Sequence, residues 1–375
     1  MKVRRALALV LAIVMLAVVA VGSRLFYSLV VVEGLLPGGD GGYLGRLCPE
    51  PTRQVIELEG ARPFSAHLYL PARRRTGQAA VLSVPLAADL AENPGIVAAA
   101  RSLARAGLVV LVPSPPVDFD SLLEPVDDGD LQVALEYLSG LPGVNPRRLG
   151  LIGVSYGSGP VLRVAASPPW RDRLAFVATL GSYYHLQHMV RYGTTGYHQY
   201  GEERYYRQPD LLVRNLMAAV LFNWLPDPAD REQLLAHEAT LLAGHIPPEL
   251  AYGLSPGGAA MYRVAANVDD DAFYELYQAM PGEVRRRLDE LSPASVAGAV
   301  RARAFLIHAR EDAYVPFTES LYLYRALSRT SRPRLVLVGF LEHALPQERS
   351  AWELLRSHLR DALALLSLIY ALLGT

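Results

Sequence analysis

The pattern of apolar and polar residues begins with a basic, apolar leader at the N-terminus. Three basic residues precede an apolar run from Ala6 to Gly22, and apolar character resumes from Leu25 to Val32. A run of this length behind positive charge is typical of a short membrane-spanning helix or of a secretory signal peptide. Because the apolar character resumes, we expect residues 1–32 to form an uncleaved transmembrane anchor. A cleaved signal peptide and a buried helix of a soluble protein are the alternatives.

The charge at the leader predicts on which side of a membrane the rest of the chain lies. Positive residues stay on the cytoplasmic side, so an anchored or a secreted chain exposes its remainder outside the cytoplasm. Residues 33–52 are rich in Gly and Pro and are predicted to be a linker. A chain that starts near Gly42 is therefore expected to be soluble and active.

From residue 53 to residue 181, short apolar runs alternate with segments of helical spacing. The predicted strands are Gln54–Leu58, Phe64–Leu70, Ala79–Val84, Leu108–Val112, Leu149–Val154 and Leu174–Leu180. The predicted helices are Pro94–Ala106, Asp130–Leu141 and Gly157–Ala166. Nearly continuous apolar strands that alternate with helices predict a parallel sheet covered on both faces.

The alternation stops over residues 182–300, which contain helical segments and no convincing strand. The helices predicted there are Leu211–Leu221, Arg231–Ala243, Asp271–Met280 and Gly282–Leu291. Alternation returns over residues 301–375, with strands Ala304–His308 and Arg334–Val338, the helix Phe317–Leu327 and a closing helix from Arg349. We therefore predict one doubly wound α/β domain, with a helical cap inserted between its sixth and seventh core strands. The apolar end of the closing helix is expected to pack on the sheet rather than touch a membrane surface.

A Gly-x-Ser-x-Gly motif, Gly153 to Gly157, joins a predicted buried strand to a predicted helix. A strand-to-helix turn this sharp crowds the residues beside Ser155, and glycine relieves that crowding. The helix that follows begins with unpaired backbone N–H groups near the serine hydroxyl, where an oxyanion would develop. The alternative is a tight turn with an incidental serine.

The segment from Asn145 to Gly157 resembles the nucleophile elbow of the α/β-hydrolase superfamily, and the likeness is closest to its dienelactone hydrolase-like and esterase/peptidase branches. His308 to Pro316 is similar to the family's His-Gly-x-x-Asp-x-x-Val-Pro loop, and Leu335 to His343 is similar to its last strand and histidine loop. The resemblance covers about residues 54–363, apart from the insertion.

This resemblance implies a catalytic triad of Ser155 as nucleophile, Asp312 as acid and His343 as base, in the chain order of the superfamily. The neighbouring Glu311 is the alternative acid. His308 is expected to shape the loop that carries Asp312 (residues 310–316, the acid loop) rather than to ionise in catalysis.

The resemblance also implies an oxyanion hole. The backbone N–H of Tyr156 is the expected first donor. The second donor is expected from Leu86 or Ala87, because these residues follow the predicted strand that ends at Val84. Pro85 has no N–H to donate.

Composition narrows the choice of partners. The formal net charge is −1, so no basic field favours nucleic acid. The single Cys48 excludes an intramolecular disulfide and a cysteine-based metal site. His185 and His188 lie three positions apart without an evident carboxylate partner, so packing is favoured over a metal site. No cofactor and no metal are expected.

The sequence therefore predicts a serine hydrolase that cleaves a small-molecule ester or a related acyl bond. A peptidase that uses Glu202 and Glu203 to bind a substrate amine, an acyltransferase and a catalytically inactive surface binding protein are the alternatives. The tyrosines of the cap are expected either to line an acyl pocket or to form the cap's own core: Tyr183, Tyr184, Tyr192, Tyr197, Tyr200, Tyr205 and Tyr206.

Overall fold

A computed structural model describes residues 21–36, 42–72, 77–83, 90–114, 128–236, 248–339, 341–342, 345–346 and 351–375. The strands, in chain order, are β1 (Thr52–Glu59), β2 (Pro63–Leu70), β3 (Ala79–Ser83), β4 (Val109–Ser114), β5 (Leu149–Val154), β6 (Leu174–Leu180), β7 (Tyr197–Tyr200), β8 (Glu203–Tyr206), β9 (Arg303–Ala309), β10 (Arg334–Val338), β11 (Leu341–Glu342) and β12 (Leu345–Pro346).

The central sheet has eight strands in the order β1-β2-β4-β3-β5-β6-β9-β10. β2 pairs antiparallel with both β1 and β4, and every other pair in the sheet is parallel. The predicted core strands are confirmed, including the interruption between the sixth and the seventh. The carboxyl ends of the parallel strands meet at one edge, where open α/β sheets bind ligands.

The helices, in chain order, are α1 (residues 21–34), α2 (Pro94–Arg105), α3 (Asp128–Gly140), α4 (Ser158–Ala166), α5 (Leu186–Thr195), α6 (Leu211–Asn223), α7 (Pro228–Leu235), α8 (Pro256–Ala266), α9 (Phe273–Ala279), α10 (Gly282–Leu291), α11 (Phe317–Leu327) and α12 (Ala351–Leu372).

Helices cover both faces of the sheet because alternate residues of its strands point to opposite sides. On β9, Phe305 packs with α2 and α12, whereas Leu306 packs with α3, α4 and α11. Both side chains are fully buried. The closing helix α12 packs on the first of these faces through Leu365 and Leu368, as predicted.

The inserted cap consists of α5 to α10 together with a β7–β8 hairpin, and it has a hydrophobic core of its own. The prediction that this insertion lacks strands is wrong. Each strand of the hairpin has only four residues, too few to give a clear alternating pattern, and Gly201 turns between them at a φ of 61°. The buried carboxylate of Asp270 joins the hairpin to α5, because it accepts bonds from Arg204 of β8 and from Arg191 of α5, at 2.6 Å each.

Helix α1 contains the second apolar stretch of the leader, and it packs into the domain. Val31 and Val32 of α1 are buried in the same core cluster as Leu103 of α2 and Leu368 of α12. Among the described residues, no helix is long and apolar enough to cross a membrane. The predicted span from Ala6 lies almost wholly in residues 1–20, outside the described part of the chain.

The predicted linker is folded against the domain where it is described. The carboxylate of Glu33 accepts hydrogen bonds from the backbone N–H of Leu44, at 3.1 Å, and of Gly45, at 2.9 Å. Arg105 of α2 pairs with Glu50 at 2.7 Å. The described part of this segment is therefore held to α1 and α2 by side-chain contacts.

Candidate active site

Ser155 lies at the end of β5 with a left-handed backbone, at a φ of 50°. No other non-glycine residue in the described ranges has a positive φ. A Cβ at Gly153 would come 2.6 Å from the Cα of Ser158, and a Cβ at Gly157 would come 2.8 Å from the carbonyl oxygen of Ser83. Both glycines are therefore needed for close approach, and the serine itself carries strain of about 1–3 kcal/mol. This is the geometry of a nucleophile elbow.

Tyr156 occupies the position expected of an oxyanion donor. The residues Ser155–Gly157 form a short 3₁₀ turn that leads into α4. Backbone N–H groups in the first turn of a helix have no partner within it, so they are available to a ligand. β3 ends at Ser83, which lies against Gly157 of the elbow. Leu86 and Ala87 themselves lie outside the described residues.

The acid loop directs Asp312 inward and Glu311 outward. The side chain of Asp312 is fully buried, and its Oδ1 accepts hydrogen bonds from the backbone N–H of Tyr314, at 2.8 Å, and of Val315, at 2.9 Å. The side chain of Glu311 is 65% exposed and pairs with Arg207. Of the two candidate acids, only Asp312 is held by the interior of the loop.

The ring of His308, near the end of β9, packs against the same loop. The ring is fully buried, with Nδ1 2.6 Å from the hydroxyl of Ser320 and Nε2 2.8 Å from the carbonyl oxygen of Val315. Nε2 also lies 3.5 Å from Oδ2 of Asp312. The expectation that His308 shapes the acid loop agrees with these bonds.

The candidate base, His343, lies outside the described residues, between the end of β11 at Glu342 and the start of β12 at Leu345. The backbone of β11 comes close to that of β9, which leads into the acid loop. The N–H of Arg310 also bonds the carbonyl oxygen of Val338 at 2.8 Å. The chain that leads to position 343 is thus at the same sheet edge as Asp312.

The cap packs directly on the elbow. The rings of Tyr156 and Tyr183 stack with centroids 5.7 Å apart and an interplanar angle of 20°. Burial raises the pKa of both phenols, so both stay neutral and serve as packing groups. Tyr183 and Tyr192 belong to the cap core, whereas Tyr206 is 60% exposed. For Tyr183 and Tyr192, the packing interpretation is the one that the structure supports.

A buried carboxylate that the sequence analysis did not single out joins the cap to the core. Glu319 of α11 accepts hydrogen bonds from the backbone N–H of Tyr184 and of His185, both at 2.9 Å, and its Oε1 lies 2.9 Å from Nδ1 of His188. The sequence shows no evident carboxylate near His185 and His188, and the structure supplies one from α11. Glu319 lies 131 positions from His188 along the chain, so no local pattern could indicate this contact.

Glu319 and His188 form a hydrogen-bonded acid–base pair in which each group shifts the pKa of the other. Burial by itself would raise the pKa of Glu319, but His188 and the backbone donors hold it below its usual value. Burial would likewise lower the pKa of His188, but Glu319 raises it above its usual value. Within the described residues, no group of three or more His, Cys, Asp or Glu side chains is arranged to hold a metal ion.

Comparison with known proteins yields likeness in structure only. No protein-family model matches the chain, and no curated protein matches it. The acylaminoacyl peptidase of Pyrococcus horikoshii is 12% identical over 81% of this chain and 40% of its own, with a TM-score of 0.47. An esterase domain of a Rhodothermus marinus protein is 15% identical over 86% of this chain and 97% of its own, with a TM-score of 0.44. The Pyrococcus furiosus esterase Pf2001 is 11% identical over 78% of this chain and 85% of its own, with a TM-score of 0.43.

The chain spans about two fifths of the length of the acylaminoacyl peptidase that it matches. The mostly parallel eight-stranded sheet and the left-handed serine at the end of β5 give the chain the fold of the α/β-hydrolase superfamily.

Proposed function

We propose that this protein is a serine hydrolase that cleaves an ester or a related acyl bond through an acyl-serine intermediate. The observation that carries the proposal is the left-handed backbone of Ser155 at the carboxyl end of β5. A strained serine at this position is retained at a cost in stability, and its effect is to present the hydroxyl at the ligand-binding edge of the sheet.

The proposed reaction follows from the roles of three side chains. His343 accepts the Ser155 proton as the hydroxyl attacks the acyl carbon, and the same proton passes to the leaving group when the tetrahedral intermediate collapses. Water then repeats the sequence on the acyl-enzyme and frees the acid. Asp312 orients the imidazole and stabilises its cation, and the N–H of Tyr156 stabilises the oxyanion.

The proposed substrate is a small-molecule ester with an apolar acyl group. The cap that packs on the elbow is rich in aromatic side chains, and aromatic residues beside a site favour an apolar acyl group over a charged one. The peptidase alternative drew on Glu202 and Glu203. Both are exposed at the end of the β7–β8 hairpin, and Glu203 bonds Tyr205 of its own strand.

A panel of p-nitrophenyl esters and aminoacyl p-nitroanilides tests this proposal. Each methylene buried in an apolar pocket contributes about 0.8 kcal/mol, or roughly fourfold in kcat/KM, until the pocket is full. We expect kcat/KM to rise from acetyl to medium-chain esters and to fall for long chains, with weak or no anilide cleavage. Ser155→Ala should abolish the ester activity, whereas Ser158→Ala, a fully buried hydroxyl three positions along, should retain it. Strong anilide cleavage with no dependence on ester chain length would instead identify a peptidase.

A further inference from the structure

The acid loop is closed by a buried histidine to which the proposed reaction assigns no step. The side chains of His308 and Asp312 are both fully buried, and they lie four positions apart, at the end of β9 and in the loop that follows it. A histidine kept from solvent in this position has to have its ring nitrogens satisfied by neighbouring groups.

The hydrogen bonds of His308 fix its tautomer. The carbonyl oxygen of Val315 can only accept a hydrogen bond, so the Nε2 that lies 2.8 Å away carries a proton. The hydroxyl of Ser320 lies 2.6 Å from Nδ1 and donates to it when the ring is neutral. The imidazole is therefore held at both nitrogens, and its N–H edge faces the interior of the acid loop.

That edge also faces the carboxylate of Asp312. Oδ1 of Asp312 is occupied by the N–H groups of Tyr314 and Val315, whereas Oδ2 lies 3.5 Å from the protonated Nε2 of His308. The same N–H therefore ties the end of the loop at Val315 and presents a positive dipole to Oδ2. A rotation of the carboxylate would lose the two backbone bonds and this dipole together.

We propose that His308 is a positioning residue, one that holds the Asp312 carboxylate in the orientation that stabilises the catalytic imidazolium. This inference rests on the proposed function. His308 touches neither the substrate nor the reacting atoms, so its effect passes through Asp312. Removing the His308 N–H should therefore lower the pKa of the catalytic base as well as the turnover number.

The pH profile of kcat/KM separates this role from a purely structural one, because its acid limb reports the pKa of the free enzyme's base. His308→Met removes the N–H at similar volume, and we expect the midpoint of the acid limb to fall by about one pH unit, a tenfold change in the protonation equilibrium. His308→Gln keeps a donor near the position of Nε2 and should restore the midpoint to within about 0.3 unit of wild type.

Ser331→Ala is the matched control, because it removes a buried hydrogen bond to the carbonyl oxygen of Ala302. Ala302 precedes the first residue of β9, at the end of the strand far from the acid loop. The Ser331→Ala variant should leave the midpoint unchanged. If His308→Met does not fold, Ser320→Ala is used in its place, because this variant removes the hydrogen bond at Nδ1 of His308. We expect the midpoint of the acid limb to fall in this variant too, but by less.

Two results would overturn the inference. One is an acid limb whose midpoint is unchanged in His308→Met, or in Ser320→Ala if that variant replaces it. In that case any loss of activity would match the loss of titratable active sites. The other is an equal shift in the methionine and glutamine variants. Wild-type protein without esterase activity would instead refute the proposed function itself, so the two failures are distinguishable.

Discussion

The Tyr192 hydroxyl, from cap helix α5, donates a hydrogen bond of 3.0 Å to the carbonyl oxygen of Ala313, the residue that follows the candidate acid. The N–H of Asp210, at the start of α6, bonds the same oxygen at 2.9 Å. The cap therefore holds the acid loop as well as packing on the elbow.

Tyr192→Phe should slow turnover by loosening this loop. The lost hydrogen bond costs about 1 kcal/mol of stability, and we expect kcat on a p-nitrophenyl ester to fall about three- to tenfold while KM changes little. Tyr206→Phe, at an exposed position of the same cap, is the control for loss of a phenol and should match wild type. Equal kcat values for the two variants would show that the contact does not affect catalysis.

The two acidic residues of the loop should differ sharply in their effects. Asp312→Asn is expected to lower kcat by about 10⁴, because the amide favours the wrong tautomer of the base. Glu311→Gln breaks only an exposed pair with Arg207 and should cost less than about tenfold. Steady-state kinetics on one ester decide between them, and comparable losses would transfer the role of acid to Glu311.

The stability contributed by the Glu319–His188 pair should depend on pH. The pKa of His188 is raised, so its contribution is complete below the unfolded value of about 6.5 and disappears as the pH rises through the folded pKa. The pKa of Glu319 is lowered, so its contribution is present above the unfolded value of about 4.3 and disappears as the pH falls through the folded pKa.

The pair should therefore stabilise the protein most between about pH 4.5 and pH 6.5. Urea unfolding of wild type and His188→Gln is the measurement. The difference between their midpoints should be larger at pH 5.5 than at pH 8.5. A difference that does not vary with pH would contradict a charged pair.

Helix α1 should be required for stability, contrary to the expectation that a chain starting near Gly42 stands alone. Val31 is 2% exposed in a core shared with α2 and α12, so Val31→Ala should cost roughly 1–3 kcal/mol of unfolding free energy. Val55→Ala, at 62% exposure on β1, should stay within about 0.5 kcal/mol of wild type. A chain that begins at residue 42 and unfolds at the wild-type urea midpoint would show that α1 is dispensable.

The sequence predicted the elements whose patterns are local. Each core strand is a short, nearly continuous apolar run, and the elbow is recognisable because Gly153, Ser155 and Gly157 must lie at fixed spacing. Contacts between distant segments gave no such signal. Glu319 reaches His188 from another element, and α1 has the composition of an anchor because both a bilayer and a protein core favour valine and leucine. The sequence did not indicate the hairpin of the cap because each of its strands has only four residues, mostly tyrosines and polar residues, without an alternating pattern.

The most direct test of the central claim is the mass of the protein after reaction with a fluorophosphonate, which reports an activated serine without any assumption about the substrate. We predict one adduct per chain, located by peptide mapping on Ser155, and no adduct on Ser155→Ala under the same conditions, while Ser158→Ala is labelled like wild type. An unlabelled wild-type protein, or equal labelling of Ser155→Ala, would contradict the assignment of Ser155 as the nucleophile.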